Sequence, residues 1–138
     1  MAQVTRFGVS LDPELLRRFD RLIDDKGYAN RSEAIRDLIR EVLVRQEWEG
    51  EKNENVGTIT MIYDHHSHDA GDKLADVQHD HHRAILSTMH IHLDHDNCLE
   101  VLAVKGSGRL LRQLADELIS LKGVKHGKLV ATTTGKHL

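Results

Sequence analysis

The sequence predicts an α+β fold in which a strand-helix-helix segment is followed by a larger segment with the element order βαββαβ. Three observations indicate this fold. Apolar residues alternate near the N-terminus, two amphipathic helical stretches follow, and alternation returns several times after a polar stretch near residue 50. We therefore expect two domains, residues 1–48 and 56–138, joined by a linker over residues 49–55.

Charge and composition exclude several classes of protein. The 138 residues have a formal net charge of −3 at pH 7, so contact with nucleic acid would require locally placed arginines. No apolar signal segment and no apolar run of membrane-spanning length occur, so we expect a cytoplasmic protein without a membrane partner. The single cysteine has no partner for an internal disulfide and fits a reducing compartment.

The first predicted element is a strand over Val4–Leu11, where apolar and other residues alternate strictly. One face would hold Phe7, Val9 and Leu11, and the other Arg6, Gly8 and Ser10. A single strand has no pairing partner within this short segment, and the segment is too small to bury a stable core. Both deficits disappear if two chains pair, so we expect an obligate dimer.

Two helices follow that strand. Asp12 and Pro13 are typical of a helix start, and Gly27 is typical of a helix end. The stretch Asn30–Glu33 matches a capping box and begins a second helix whose apolar stripe continues to Leu43.

The second half alternates between strand and helix patterns. Gly57 begins a strand that ends at Asp64, residues 69–85 show helical spacing, and two strands over 86–93 and 99–104 surround a turn. A second helix begins after Gly106 and is closed by Gly123, and a last strand over 124–133 is expected to kink at Gly127. This βαββαβ order is that of the ferredoxin-like split motif.

Histidines are concentrated in one part of the second half. Of eleven in the chain, all but His126 and His137 lie between Asp64 and Cys98. Imidazole is the commonest protein ligand for late first-row metals. This concentration therefore predicts a metal site.

The clearest ligand pattern is formed by His90, His92 and Cys98. Residues two apart on a strand share a face, and a turn over 94–97 could return Cys98 beside both imidazoles. Two nitrogens and a thiolate suit nickel, copper, cobalt or zinc. The pattern does not decide which residue completes the coordination. Five other histidines are individually better explained as solvated residues: His65, His66, His68, His81 and His95. The alternative is that the strand histidines are merely exposed and Cys98 is a small core residue.

The first 48 residues also resemble a known domain. The stretch Leu11–Leu16 and the stretch Gly27–Asp37 are similar to the ribbon-helix-helix DNA-binding domain. That resemblance implies a two-stranded ribbon in the major groove, with Arg6 as the best candidate for reading guanine. The implied base-facing and phosphate-contacting residues are Arg6, Gly8 and Ser10, and Asn30 and Arg31, respectively. A dimerisation module or an antitoxin-like interaction domain would show the same pattern.

The whole chain resembles a family once the second domain is included. That domain resembles the ACT type of regulatory domain and contains the motifs Val77–His82 and His90–Glu100. The combination is similar to the nickel-responsive transcriptional regulators over nearly the whole chain. The resemblance implies a square-planar Ni(2+) site of His90, His92 and Cys98 with His79 from a neighbouring subunit. It also implies a homotetramer that binds double-stranded operator DNA and represses nickel-uptake genes.

Some positions depart from the family pattern. Gly8 and Ser10 stand where other members can present threonine, so the operator sequence does not transfer. Asp80 replaces a histidine found in some members. Glu33 and Asp37 match positions implicated in a second cation site, although residues four apart on an exposed helix are more often solvated acids.

Proteins of other classes could share parts of this pattern. A metalloenzyme would need an open coordination position and a general base, and no hydrolase spacing such as His-Glu-x-x-His is present, so we expect no enzyme. A metal-buffering protein, or a sensor of another metal, could have the same two domains. An ACT regulator that senses an amino acid would make the histidines incidental.

Overall fold

The computed structural model describes residues 3–138, and the chain forms two compact units. The first ends at Arg40 and the second begins at Glu41. The sequence placed this boundary at residue 48, where the polar stretch begins. The boundary falls earlier because Val44 and Trp48 are buried in the core of the second unit.

Helix α1 of the first unit spans Pro13–Asp25. The Asp12 carboxylate accepts a hydrogen bond from the backbone N–H of Leu15 at 2.9 Å, which caps the helix. The chain leaves the helix through Gly27, whose φ of +84° suits glycine. Both ends lie where the sequence predicts them.

Helix α2 spans Arg31–Glu49 and is capped by Asn30, whose Oδ1 accepts the backbone N–H of Glu33 at 2.9 Å. Residues 3–12 form neither helix nor strand, although the sequence predicts a strand over Val4–Leu11. A strand is held by hydrogen bonds to a neighbour. The predicted neighbour belongs to a second chain, so a single chain cannot form the pair.

The second unit has a four-stranded sheet in the order β2-β3-β1-β4, with each neighbouring pair antiparallel. With its helices, this is the predicted βαββαβ arrangement. The elements in chain order are β1 Asn55–Asp64, α3 His68–Asp80, β2 Ile85–His92, β3 Asn97–Gly106, α4 Gly108–Ile119 and β4 Val124–Thr132. Among residues 3–138, none of the helices is sufficiently long and apolar to cross a membrane.

One face of the sheet is buried. Along β1 and β3 every second residue is buried, as alternation predicts. The core combines this face with the apolar side of α4, and its fully buried members include Ile59, Met61, Leu102, Val104, Leu111, Leu114 and Leu118. Burial of these side chains fixes which face of β3, and therefore of its neighbour β2, is turned toward the core.

Two predicted features differ from the structure. Helix α3 ends at Asp80 instead of residue 85, because Ala84 is buried and Ile85 already pairs with Val104 in the sheet. Strand β4 is irregular at Lys125 and not at Gly127. Lys125 is an extra residue without a partner in β1, because two consecutive β1 residues pair with the residues on either side of it. A Cβ at Gly127 would lie 2.5 Å from the side chain of Ile119, so this glycine allows α4 to approach the strand.

Candidate metal centre

The register between β2 and β3 determines which histidines lie near the cysteine. His92 is opposite Cys98, and His90 is opposite Glu100. Residues directly opposite in an antiparallel pair share a face. Both imidazoles are therefore on the same side of the sheet as the buried thiol.

A tight turn connects the two strands. The Asp94 carboxylate accepts the backbone N–H groups of Asp96 and Asn97, each at 2.8 Å. Hydrogen bonds from the Asn97 side-chain amide, followed by these two backbone bonds, hold the pKa of Asp94 below its ordinary value. The turn places Cys98 beside His92, whereas the sequence predicts Cys98 beside both His90 and His92.

The Cys98 thiol has two imidazole neighbours. It is fully buried, and its Sγ lies 3.4 Å from Nδ1 of His92 and 3.4 Å from Nδ1 of His65. One donor atom from each of the three residues lies within 4.8 Å of the other two. Two nitrogens with a thiol that ionises on metal binding make a borderline-soft set, so the residues present fit Ni(2+).

The sequence favours a solvated position for His65 without deciding which residue completes the coordination, and the structure places His65 beside Cys98. The side chain is exposed, yet its ring centroid is 4.9 Å from that of His92. The residue reaches this position because Asp64 pairs with Asn97, and because the His65 N–H donates to the Asp96 carbonyl at 2.7 Å. No pattern in the sequence predicts the register of β1 against β3. The sequence shows only that a histidine follows directly after a strand.

His90 contacts Tyr63 instead of the thiol. Its Nδ1 lies 3.1 Å from the Tyr63 hydroxyl, and its ring centroid is 5.0 Å from that of His92. Burial, followed by the neighbouring Cys98 and Glu100, raises the pKa of Tyr63 to about 12. The hydroxyl is therefore a neutral hydrogen-bonding partner for His90 at physiological pH.

His79 lies apart from this centre. It is exposed on α3, and its ring stacks on that of His82 with centroids 6.1 Å apart. The preceding Gln78 donates from Nε2 to Oε1 of the buried Glu100 at 2.9 Å, which attaches α3 to β3. Within residues 3–138, His79 and His90 belong to neither of two groups of closely spaced metal donors.

The second of those groups comprises His66, His95 and Asp96, all exposed. It is formed by the residues after β1 and by the turn between β2 and β3. The side chain of His68 lies outside the described part of the chain.

The residues predicted to contact DNA lie in the first unit. Arg6, Gly8 and Ser10 are exposed. The Asn30 side chain is used as the cap of α2. The Arg31 guanidinium donates two hydrogen bonds of 2.8 Å to Asp20, which raise the pKa of Arg31 and lower that of Asp20. Arg31 would have to leave this carboxylate to bind phosphate through its side chain.

Glu33 and Asp37 lie on α2, and within one chain the Asp37 carboxylate contacts other side chains. The Tyr28 hydroxyl donates to Asp37 at 2.8 Å, and Arg40 lies 3.6 Å from the same carboxylate. Neither acid belongs to the two donor groups within the described residues. A cation site at Glu33 and Asp37 stays a prediction.

Comparison with known proteins gives two family matches. Residues 56–132 match the NikR C terminal nickel binding domain, and residues 5–46 match the ribbon-helix-helix proteins of the copG family. A structure of an uncharacterized protein from Thermotoga maritima has a TM-score of 0.54, with 16% identity, over 59% of this chain and 100% of that one. At that identity the likeness concerns the fold alone.

Several relatives match over the full length. A protein from Geobacter metallireducens is 59% identical over 138 residues, which is 100% of this chain and 99% of the relative. Proteins from Geotalea uraniireducens and Nitratidesulfovibrio vulgaris are 59% and 58% identical with the same coverage. All three are named "Putative nickel-responsive regulator". Full-length identity of this size, together with both domain matches, shows that the chain belongs to the nickel-responsive regulator family.

Proposed function

We propose that this protein represses nickel-uptake genes in the cytoplasm by binding operator DNA as a homotetramer when Ni(2+) is bound. The main observation is the buried thiol of Cys98 between two imidazoles, which supplies a donor set that fits nickel. Family membership supports nickel and DNA as the partners, and it identifies a regulator and not an enzyme. Repression, the tetramer and the ligand assignment are the proposal.

The proposed ligands are His90, His92 and Cys98 of one chain with His79 of a second copy. Three of them are on one face of the β2-β3 pair, whereas His79 is exposed and belongs to neither donor group within the described residues. An exposed ring on a helix is accessible to a second chain. A metal that needs ligands from two chains stabilises the assembled form of the protein. Because such coupling is reciprocal, DNA that binds preferentially to the assembled form also increases the affinity for the metal.

The first unit supplies the proposed DNA contacts. Its exposed apolar side chains include Phe7 at 69% and Val9 at 59% of full exposure, which is unfavourable for a single chain in water. Pairing the two N-terminal segments as a ribbon would cover this face. It would leave Arg6 on the opposite face, where a guanidinium can bind the two acceptors of guanine.

The test is selection of bound fragments from genomic DNA by the purified protein with nickel, with zinc, or with a chelator. We expect one or a few fragments to be recovered only with nickel. Alanine variants at His79, His90 and Cys98 should each lose tight nickel binding and nickel-dependent recovery. The His126→Ala variant is the matched control and should behave as the unaltered protein.

Each other outcome has a defined meaning. Equal recovery in all three conditions would leave DNA binding in place and remove nickel sensing. Nickel-dependent recovery by all three ligand variants would contradict the ligand assignment. If no DNA fragment is recovered with any metal, the result would favour the alternative, a metal-buffering protein with the same two domains.

A further inference from the structure

We propose that Asp20 lowers the affinity of the first unit for DNA by neutralising Arg31, the first residue of α2. The inference rests on the proposed function, in which Arg31 meets the DNA backbone. It adds a residue that sets how strongly the protein binds DNA of any sequence. Asp20 acts through Arg31 and is therefore a positioning residue that does not itself contact DNA.

The Asp20 carboxylate binds Arg31 with both of its oxygens. Nε of Arg31 donates to Oδ1 and Nη2 donates to Oδ2, each at 2.8 Å. A guanidinium presents the same planar pair of N–H groups to a phosphate. Along this edge, the N–H groups that would fit a phosphate are therefore already bonded to a carboxylate.

The charge of the pair affects DNA binding as well as its geometry. The N–H groups of Nη1 take no part in these two bonds and could still donate to a phosphate. The pair as a whole is neutral, however, and the carboxylate would repel the phosphate. A free arginine that neutralises a phosphate releases counterions from DNA, whereas a neutral pair does not. Arg31 therefore either binds DNA more weakly or has to leave Asp20 first.

The ion pair is exposed, so DNA can compete with it. The side chains of Arg31 and Asp20 keep 56% and 42% of their full exposure. Exposed ion pairs are weak because water and salt screen them. A pair of this kind reduces DNA affinity by a modest factor per chain and does not prevent binding.

Packing of the two helices produces the pair. Asp20 and Arg31 are 11 residues apart and lie on α1 and α2, respectively. Arg17, one turn before Asp20 on α1, forms an ion pair with Glu14. Because Glu14 binds Arg17, the Asp20 carboxylate remains available to the arginine of the next helix.

The Asp20–Arg31 pair should affect all DNA sequences alike. Phosphate contacts hold a protein on DNA of any sequence, whereas base contacts distinguish sequences. Weaker phosphate binding at Arg31 thus lowers the affinity for operator and for other DNA by the same factor. Stable binding then depends more on base contacts and on the nickel-bound assembly of several chains. Asp20 would in this way limit binding to DNA without nickel.

The test compares variants of the full-length protein loaded with one Ni(2+) per chain. Fluorescence anisotropy measures binding to two labelled duplexes, the fragment recovered with nickel and a random sequence of the same length, between about 50 and 200 mM salt. Asp20→Asn and Asp20→Ala should each raise the affinity for both duplexes by roughly two- to fivefold per bound chain. The increase should become smaller as the salt concentration rises, because salt screens the ion pair that these variants lack.

Three control variants isolate the ion pair. Asp24→Asn makes the same change of charge one turn further along α1 and should raise the affinity by less than about twofold. Asp20→Glu keeps the charge and should bind as the unaltered protein does. In an Arg31→Gln background, Asp20→Asn should have no larger effect than Asp24→Asn, because no guanidinium is left to release. Circular dichroism and analytical ultracentrifugation check that helix content and assembly are kept.

The proposal is overturned if both Asp20 variants bind DNA like Asp24→Asn, or if they bind more weakly. Weaker binding would show that Asp20 orients Arg31 for the phosphate. An increase for only one duplex, or an equal increase in the Arg31→Gln background, would also overturn it. If the unaltered protein binds neither duplex with nickel, the result contradicts the proposed function instead.

Discussion

Tyr63 shows how a residue that is not a proposed ligand can influence the metal centre. Its hydroxyl lies 3.1 Å from Nδ1 of His90. If Nε2 of His90 is to bind a metal, the ring proton has to be on Nδ1, and this N–H then donates a hydrogen bond to the Tyr63 oxygen. This hydrogen bond would then set both the tautomer and the orientation of the imidazole.

We predict that Tyr63→Phe lowers nickel affinity by roughly tenfold, as is usual when a hydrogen-bonding partner of a ligand is removed. The ring that packs in the core is kept, so the fold should survive. Competition with a nickel chelator measures the affinity. Tyr28→Phe, which removes the hydroxyl bound to Asp37 in the first unit, is the control. An unchanged affinity for Tyr63→Phe would show that the hydroxyl does not orient His90.

At the scale of elements, the second unit depends on a close contact between the end of α2 and the start of α4. The Trp48 indole N–H donates to the Thr132 carbonyl at 2.8 Å. A Cβ at Gly108 would lie 2.1 Å from the Trp48 carbonyl oxygen. That neighbour is backbone, so it cannot move aside as the end of a flexible side chain could.

Gly108→Ala should therefore destabilise the protein by roughly 1–3 kcal/mol, the usual range for an overpacked core. Gly71→Ala in α3 is the matched control, because a Cβ there meets nothing within 4 Å. Alanine is the better helix former by about 1 kcal/mol, so that variant should gain stability. Urea denaturation measures the free energy of unfolding of both variants. Equal midpoints for the two variants would contradict the proposed contact.

At the scale of the whole molecule, the two compact units would be stabilised in different ways. The second unit buries a continuous core within one chain. The first exposes large apolar side chains, including Val9 at 59% and Leu38 at 54% of full exposure. A second chain is needed to cover such a surface in water.

Val9→Asp should therefore reduce the number of associated chains and abolish operator binding, because a charge would be buried in the ribbon without a partner. Nickel binding by the second unit should persist. Analytical ultracentrifugation and DNA binding measure the two effects. Arg6→Ala, on the opposite face of the predicted strand, should keep the assembly and lose DNA affinity. A Val9→Asp protein with unchanged assembly would exclude the ribbon as the pairing element.

Most of the fold was predictable because helix ends and strand faces depend on local chemistry. The caps at Asp12 and Asn30 and the stop at Gly27 are properties of a few adjacent residues. The predicted end of α3 was wrong, because burial of Ala84 and pairing of Ile85 in the sheet override the helical spacing of the sequence. The strand over Val4–Leu11 stays a prediction, because its partner belongs to another chain.

By itself, the sequence determined the two-part architecture, the βαββαβ order and the position of Cys98 beside His92, because each depends on periodicity or on a turn between adjacent strands. Only the tertiary structure placed His65 at the thiol and brought His66 to the turn that contains His95 and Asp96. Those contacts depend on the register between β1 and β3, which are separated by α3 and β2 in the chain. Register between distant strands is decided by packing of the whole core, and no local pattern specifies it.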